Sequence, residues 1–461
     1  MHTYVGSGLR KSIVLAVAAL VTGFTLLTPA MAAASQPRLA RPAAGFETVL
    51  DPVFSSPLAT ASEGFGYRPS PLPPVTVAPS ARLLAAEGIL NGVGAAKSLP
   101  ACFDLRRFGR VPAVRDQGPF GTCWAFATCG SLESTLLPAK RCNFSEDNLV
   151  LQSGFDCAGY SGGGNDQMAA AYLLRWSGPV NASSDVYGDD FTPPGLSAVE
   201  HVQSWVRLPE PSSPLDLRII KSELERVGAL YAVVHFAANC YRARTHAYYY
   251  SGPSGANHAI DIVGWDDHYA ASNFSHRPPG NGAFLCRNSW GTSWGAKGYF
   301  WVSYYDSLIS TEVAAWPQVE NVTNYASCYQ YDTYGETDNL GWPGLQYGWF
   351  ANQFTATASG SLTAVWFGVP SGNAYFAVYA GPSLSQLSYV ASSSDAFAGF
   401  TTVKASVPYA LTSGSSFVVA VCMNTPGCTH PVPVEAPIPG YDSAATASPE
   451  KWPGGFGQPD R

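Results

Sequence analysis

Cys123 stands after a tight glycine-bearing turn, in Asp116-Gln117-Gly118-Pro119-Phe120-Gly121-Thr122-Cys123-Trp124, and opens an apolar run that reads as a helix. A thiol at a helix N-terminus meets the positive end of the dipole and unpaired N–H groups, which favour the thiolate. Such a sulfur attacks a carbonyl at neutral pH when a histidine takes its proton and later delivers it to the leaving amine. Of eight histidines, His258 alone precedes a strand-like run that starts after a turn, in Gly255-Ala256-Asn257-His258-Ala259-Ile260-Asp261-Ile262. In Cys286-Arg287-Asn288-Ser289-Trp290-Gly291, Asn288 offers an amide for one imidazole nitrogen while the other faces sulfur, and Trp290 an indole to shield that bond. The plainer alternatives are a disulfide half for Cys123, a turn residue for His258, and surface or turn amides for Gln117 and Asn288.

These residues need elements to hold them. Cys123 to Leu137 is mostly apolar and is stopped by Pro138, as a buried helix would be. Further helices are expected over Asn165 to Arg175 and Leu217 to Val227, the latter ended by Gly228. Short apolar runs follow at Ala229 to Phe236, Ala259 to Trp265, Ala283 to Arg287 and Tyr299 to Tyr304, bounded by Gly, Asn and Asp as strands are. Helices therefore come first and sheet second. After Asn324 short strands alternate with turns, at Trp349 to Phe354, Leu362 to Val369, Tyr375 to Tyr379 and Phe417 to Cys422, which argues for a β-sandwich.

At 461 residues the chain exceeds one ordinary core, so two domains plus a leader are expected. Arg10 and Lys11, the apolar run Ile13 to Leu27 and Ala30-Met31-Ala32 read as a secretory signal over 1–32, the run being too short for the ~20 residues of a spanning helix. Residues 33–98, with Pro69, Pro71, Pro73 and Pro74, read as a Pro/Ala-rich propeptide or spacer. From Leu99 onward 19 Lys and Arg face 29 Asp and Glu, a balance of about −10 that argues against nucleic-acid or anionic-membrane partners. Ten cysteines in an exported chain suggest disulfides, with Cys422 and Cys428 able to clip a loop and Cys286 left free. No metal-type Cys or His spacing appears, so neither a metal nor another cofactor is expected.

The three segments in order, Q-G-x-x-G-x-C-W, N-H-A and N-S-W-G-x-x-W-G, resemble the papain family of cysteine peptidases over 99–316. His258 follows Cys123 by 135 residues (258 − 123), within the ~130–150 usual for such enzymes. The resemblance implies an α+β fold, with a helical lobe and a β-barrel-like lobe, acting on polypeptide substrates. It makes Cys123 nucleophile, His258 acid and base, Asn288 its orienter, and Gln117 an oxyanion donor beside the Cys123 N–H. Trp290 then lines the leaving-group side, and Gly162 and Gly163 pair with extended substrate. Two family cysteines are replaced together, by Phe120 and Tyr160, which points to an aromatic contact in place of a bridge. The leader lacks the long charged helices common in such propeptides, which leaves its inhibitory role open.

Residues 325–453 resemble the lectin-like β-sandwich domains behind some prokaryotic papain-like peptidases, with 454–461 as a tail. That resemblance raises a carbohydrate or cell-surface ligand, although aromatics in a sandwich are more often core. Two rivals to an exported peptidase remain: an inactive binding or adhesion protein, and a thiol hydrolase or transpeptidase acting on cell-wall peptides.

Overall fold

The computed structural model describes residues 65–89, 98–213, 216–341 and 344–445, together with the backbone of Ser12–Leu15. Apart from that short strand, the signal expected over 1–32, its cleavage site after Ala32 and the tail at 454–461 lie outside the described residues. The chain forms two compact units, one over Pro57–Asn324 and one containing Tyr325 onward.

The first unit is organised by α1 (Cys123–Leu136), whose residues Cys123 through Ser134 are all buried. A helix so enclosed needs apolar or hydrogen-bonded residues all round, as its sequence provides. α2 (Glu146–Gln152), not foreseen from the sequence, starts where Ser145 Oγ accepts from the Asn148 N–H at 3.0 Å. α3 (Asp166–Leu174) is capped the same way by Asn165, and α4 (Arg218–Arg226) ends ahead of Gly228, close to expectation.

The sheet lobe comprises β1 (Cys102–Asp104), β2 (Trp205–Arg207), β3 (Leu230–Val234), β4 (His258–Asp266), β5 (Ala283–Arg287), β6 (Tyr299–Ser303) and β7 (Ala314–Ala315). Their order is β2-β7-β3-β4-β5-β6, with β1 on β4, each pairing antiparallel. β1 precedes α1 and β2 precedes α4, so the lobes interleave in sequence more than the simple helix-then-sheet reading allowed. Asp261 on β4 and Arg287 on β5 form a buried ion pair at 3.0 Å. Gly130 of α1 lies directly against it: a Cβ there would fall 2.1 Å from Arg287 Nη2 and 2.3 Å from Asp261 Oδ2.

The second unit is a β-sandwich of β8 (Tyr347–Thr355), β9 (Gly360–Val369), β10 (Ala374–Gly381), β11 (Ser388–Asp395), β12 (Ala398–Leu411) and β13 (Ser416–Asn424). β8, β13, β10 and β11 lie side by side, and β9 pairs with β12. Phe417, Val419, Val421 and Met423 alternate into the core beside Phe350, Phe354, Phe367 and Phe376, the period expected of half-buried strands. Trp349 and Tyr379 are also buried, in a cluster on the other face of the β8 sheet.

The expected disulfides are corrected: among the described residues no cysteine is joined to another. Cys422 sits mid-strand opposite Trp349 and Ala377, and Cys428 turns its sulfur to the His430 carbonyl, so the anticipated clip does not close. Cys286 is buried and unpaired, as anticipated.

Candidate active site

α1 begins at Cys123 itself, and its cap position, Thr122, makes no side-chain cap bond. The Thr122 hydroxyl is engaged instead by Tyr187 Oη at 2.5 Å, which leaves the first helical amides facing the cleft. β4 starts at His258, so the imidazole is carried on the first residue of a rigid strand. The next residue, Ala259, donates its N–H to Cys123 Sγ at 3.3 Å, which brings the two expected partners side by side.

His258 Nε2 and Asn288 Oδ1 lie 2.8 Å apart, and the indole of Trp290 stacks on the imidazole at 4.7 Å and 20°. Because the carbonyl oxygen of Asn288 can only accept, Nε2 carries the proton. That leaves His258 Nδ1, which is buried and without a hydrogen-bond partner, free to accept one. The segment bearing Asn288 is laced to the one bearing Gln117: Gln117 N–H donates to Ser289 O at 2.8 Å, and Gly291 N–H to Arg115 O at 3.0 Å. Ser289 Oγ donates to Gln117 Oε1 at 2.6 Å. The amide nitrogen of Gln117 is thereby turned toward the cleft.

That nitrogen is occupied. Gln117 Nε2 donates to the carbonyl oxygen of Phe65 at 2.9 Å, and the Cys123 N–H donates to the same oxygen at 3.4 Å. Phe65 belongs to the segment ahead of the peptidase-like region, and its ring packs on His258 at 5.0 Å, Trp290 at 4.7 Å and Phe236 at 5.7 Å. The strap then runs along Gly164, whose N–H donates to Gly66 O and whose carbonyl accepts from Arg68 N–H, both at 2.9 Å, in a parallel bridge. Beyond it Arg207 holds Pro73 O at 2.8 Å and the Glu210 N–H holds Val75 O at 2.9 Å. Under this cover Cys123 and His258 are both 0% exposed. Burial pushes the Cys123 thiol up to about 12 and the His258 imidazole down to about 4, so the pair is held neutral.

Other sequence candidates are placed as follows. Gly163 borders the strap: a Cβ there would stand 2.8 Å from Gly66 O. Gly162 does not face the cleft, because its Cα abuts the Cys157 carbonyl, where a Cβ would come within 1.7 Å. The backbone that pairs with an extended chain is Gly164, the next glycine but one in the same run. Phe120 and Tyr160 stack at 4.5 Å and 23°, the aromatic contact expected where a bridge is missing. Among the described residues no cluster of His, Cys, Asp or Glu is arranged to hold a metal, and no helix is long and apolar enough to cross a membrane. Sequence reasoning missed Ser289, Gly164, Phe65, Tyr67 and Glu312.

Residues 99–315 match the family model for papain family cysteine protease, and residues 328–451 match that for a lectin like domain. The chain carries a papain-family peptidase domain followed by a lectin-like domain. Cathepsin K of Gallus gallus is 30% identical over 213 residues, covering 43% of this chain and 58% of that protein. Cysteine proteinase 15A of Pisum sativum is 31% identical over 241 residues, covering 47% and 63%. The chain thus spans about three fifths of the length of these curated relatives. The combined fold, peptidase then sandwich, is like that of the cysteine protease and lectin-like domains of Cwp84, a surface layer associated protein of Clostridium difficile. That match has a TM-score of 0.64 at 22% identity and covers 86% of each chain.

Proposed function

We propose that this chain is an exported cysteine peptidase, made with its cleft closed by its own residues 65–75, whose sandwich domain serves to target it. In the open enzyme Cys123 Sγ passes its proton to His258 Nδ1 and attacks a peptide carbonyl. The oxyanion is received by Gln117 Nε2 and the Cys123 N–H. His258 then protonates the leaving amine, and water, deprotonated by His258, hydrolyses the Cys123 thioester. Asn288 Oδ1 holds Nε2–H throughout and so keeps Nδ1 aimed at sulfur and substrate.

One observation carries this reading: a peptide carbonyl oxygen, that of Phe65, already lies in the two-donor cradle beside the sulfur. Why that bond survives follows from polarity. The Phe65 side chain, on the acyl side of its carbonyl, packs with His258 and Trp290, while the amine side leads to Gly66 and Gly164. Cleavage would require the amine to leave next to His258. The strap runs the other way, so it fills the site as an inhibitor and not as a substrate.

An irreversible thiol-directed epoxide tests the assignment. After the strap is opened, Cys123 should be the labelled residue, and denaturation beforehand should abolish the labelling. Cys123→Ala should fold normally and hydrolyse no peptide. Peptidase activity persisting in Cys123→Ala would remove Cys123 from its role.

A further inference from the structure

Tyr187 lies in a loop whose neighbours face solvent, Val186 being 63% exposed, yet its phenol reaches the turn at 117–122 that leads into Cys123. Tyr187 Oη stands 2.9 Å from the Gln117 carbonyl oxygen and 2.5 Å from Thr122 Oγ1. A carbonyl oxygen only accepts, so the phenol donates to Gln117 and accepts from Thr122. The bonds run one way, from Thr122 through Tyr187 to Gln117, and tie the first residue of the turn to the last.

Those two ends carry both groups that hold the Phe65 carbonyl oxygen. Gln117 brings Nε2, and Thr122 is one peptide bond from the Cys123 N–H. The separation of the two donors is therefore set by a span with glycine at 118 and 121, the first at φ +61°. Within that span Phe120 meets Tyr160 by stacking and not through a covalent link. Tyr187 itself is well seated. Its ring stands edge-on to Phe126 at 4.8 Å, to Tyr160 at 5.5 Å and to Phe120 at 6.1 Å. Its loop is pinned on both sides: the Gly188 N–H donates to Tyr160 Oη at 2.8 Å, and Asn148 Nδ2 on α2 donates to Asp185 Oδ2 at 2.8 Å. Tyr160 Oη donates in turn to Asp147, also on α2.

We propose that Tyr187 is a positioning residue for acyl transfer: by fixing Gln117 against Thr122, it keeps both oxyanion donors converging on one oxygen. The proposal rests on the peptidase reading above. Tyr187 acts through these two residues and not on substrate. Preorganised donors act most where negative charge gathers on the carbonyl oxygen, so losing the phenol hydroxyl weakens the transition state more than the bound substrate.

The test uses the full chain opened by Gly66→Ala, with Tyr187→Phe added, which keeps the ring and removes the hydroxyl. We expect kcat on one peptide series to fall by about tenfold with KM little changed. Iodoacetamide alkylation of Cys123, in which sulfur displaces iodide and no charge gathers on a carbonyl oxygen, should stay within about twofold of the parent. Thr122→Val should lower kcat in the same way, and the double variant no further than the larger single change. An unchanged kcat, or alkylation falling in step with kcat, overturns the proposal and leaves the peptidase reading intact. A parent whose Cys123 is alkylated but which hydrolyses no peptide overturns both.

A second arm needs neither turnover nor opening. In the otherwise unaltered chain the Phe65 carbonyl takes the oxyanion's place, and the Asn288 N–H donates to Gly298 O away from the turn. Tyr187→Phe should speed amide hydrogen exchange at Cys123 by about tenfold and leave that at Asn288 unmoved. Unchanged exchange at Cys123, or an equal rise at both amides, overturns the proposal whatever the kinetics.

Discussion

Ser289 Oγ donates to Gln117 Oε1 across 2.6 Å, and that bond, together with the one from Gln117 Nε2 to the Phe120 carbonyl at 2.8 Å, sets which end of the Gln117 amide faces the cleft. Both residues are buried, so a flipped amide would set its oxygen against the carbonyl oxygen now held by Nε2. The serine between the asparagine and tryptophan of N-S-W-G thus positions a donor 172 residues earlier in the chain.

Ser289→Ala should lower kcat by about tenfold with little change in KM, because the lost orientation matters most where negative charge develops. Gln117→Ala, which removes the donor outright, should cost about 10²–10³ in kcat. Steady-state kinetics on one peptide series reads both. Equal effects on KM and kcat in Ser289→Ala would argue for a purely structural serine.

Gly66→Ala should open the closed form. Gly66 has φ +107°, and a Cβ there would lie 1.9 Å from the Gly121 carbonyl carbon, backbone that cannot step aside. We expect the alkylation rate of Cys123 in the full chain to rise by at least about tenfold, since exposure governs thiol reactivity. Gly88→Ala is the control: its φ is +73° but nothing stands within 4 Å. If both variants behave alike, strain alone accounts for the effect and the Gly121 contact is irrelevant.

The Glu312 contribution to strap attachment should weaken as pH rises from 5 to 8. With Tyr67 seated, burial raises the Glu312 carboxyl from 4.5 to about 7, aided by Asp166 and Glu210 and opposed by Tyr67 and Arg207. Removing the strap hydrates the pocket and returns the group toward its ordinary value. The closed state therefore binds the extra proton, is firmest below about 4.5, and loses that advantage as pH climbs through about 7. His258, lowered by burial from 6.5 to about 4, acts in the opposite sense as pH falls below about 6.5 and offsets most of the Glu312 advantage at pH 5. Amide exchange of residues 65–75, corrected for intrinsic rate, should lose at least about tenfold more protection between pH 5 and pH 8 in the parent than in Glu312→Gln, which cannot titrate. An equal loss in the parent and in Glu312→Gln would contradict the linkage.

Gly130→Ala should destabilise the peptidase unit by about 3–5 kcal/mol, comparable to breaking a buried ion pair, because its methyl would displace Arg287 from Asp261. Thermal unfolding monitored in that unit checks the size of the loss. A change under about 1 kcal/mol would mean that α1 can shift at small cost.

The sequence announced the chemistry better than its control. That Cys123, His258, Asn288 and Gln117 would meet was legible because each sits in a local run whose residue types match one task, and α1 and β4, which carry Cys123 and His258, have clear patterning. The strap was not. Phe65, Gly66 and Tyr67 show no periodicity, and their partners, backbone groups at Asn257, Cys123 and Gly164 and the side chains of Gln117 and Glu312, converge only in the folded lobes. Glu312 lies outside any strand or helix, between β6 and β7. α2 escaped notice because its seven residues are mostly polar, although Ser145 ahead of Glu146 and Asp147 is a usable cap signal. The cysteines misled because compartment suggests pairing, whereas pairing needs proximity, and Cys422 is committed to a strand face away from Cys428.

The stack of Phe120 on Tyr160 has a consequence for where the cleft can operate. A thiol nucleophile survives longest in reducing surroundings, the very surroundings that open sulfur–sulfur links elsewhere in exported enzymes. Two rings hold no reducible bond, so the groove wall beside Cys123 should keep its shape at any redox potential that spares the nucleophile.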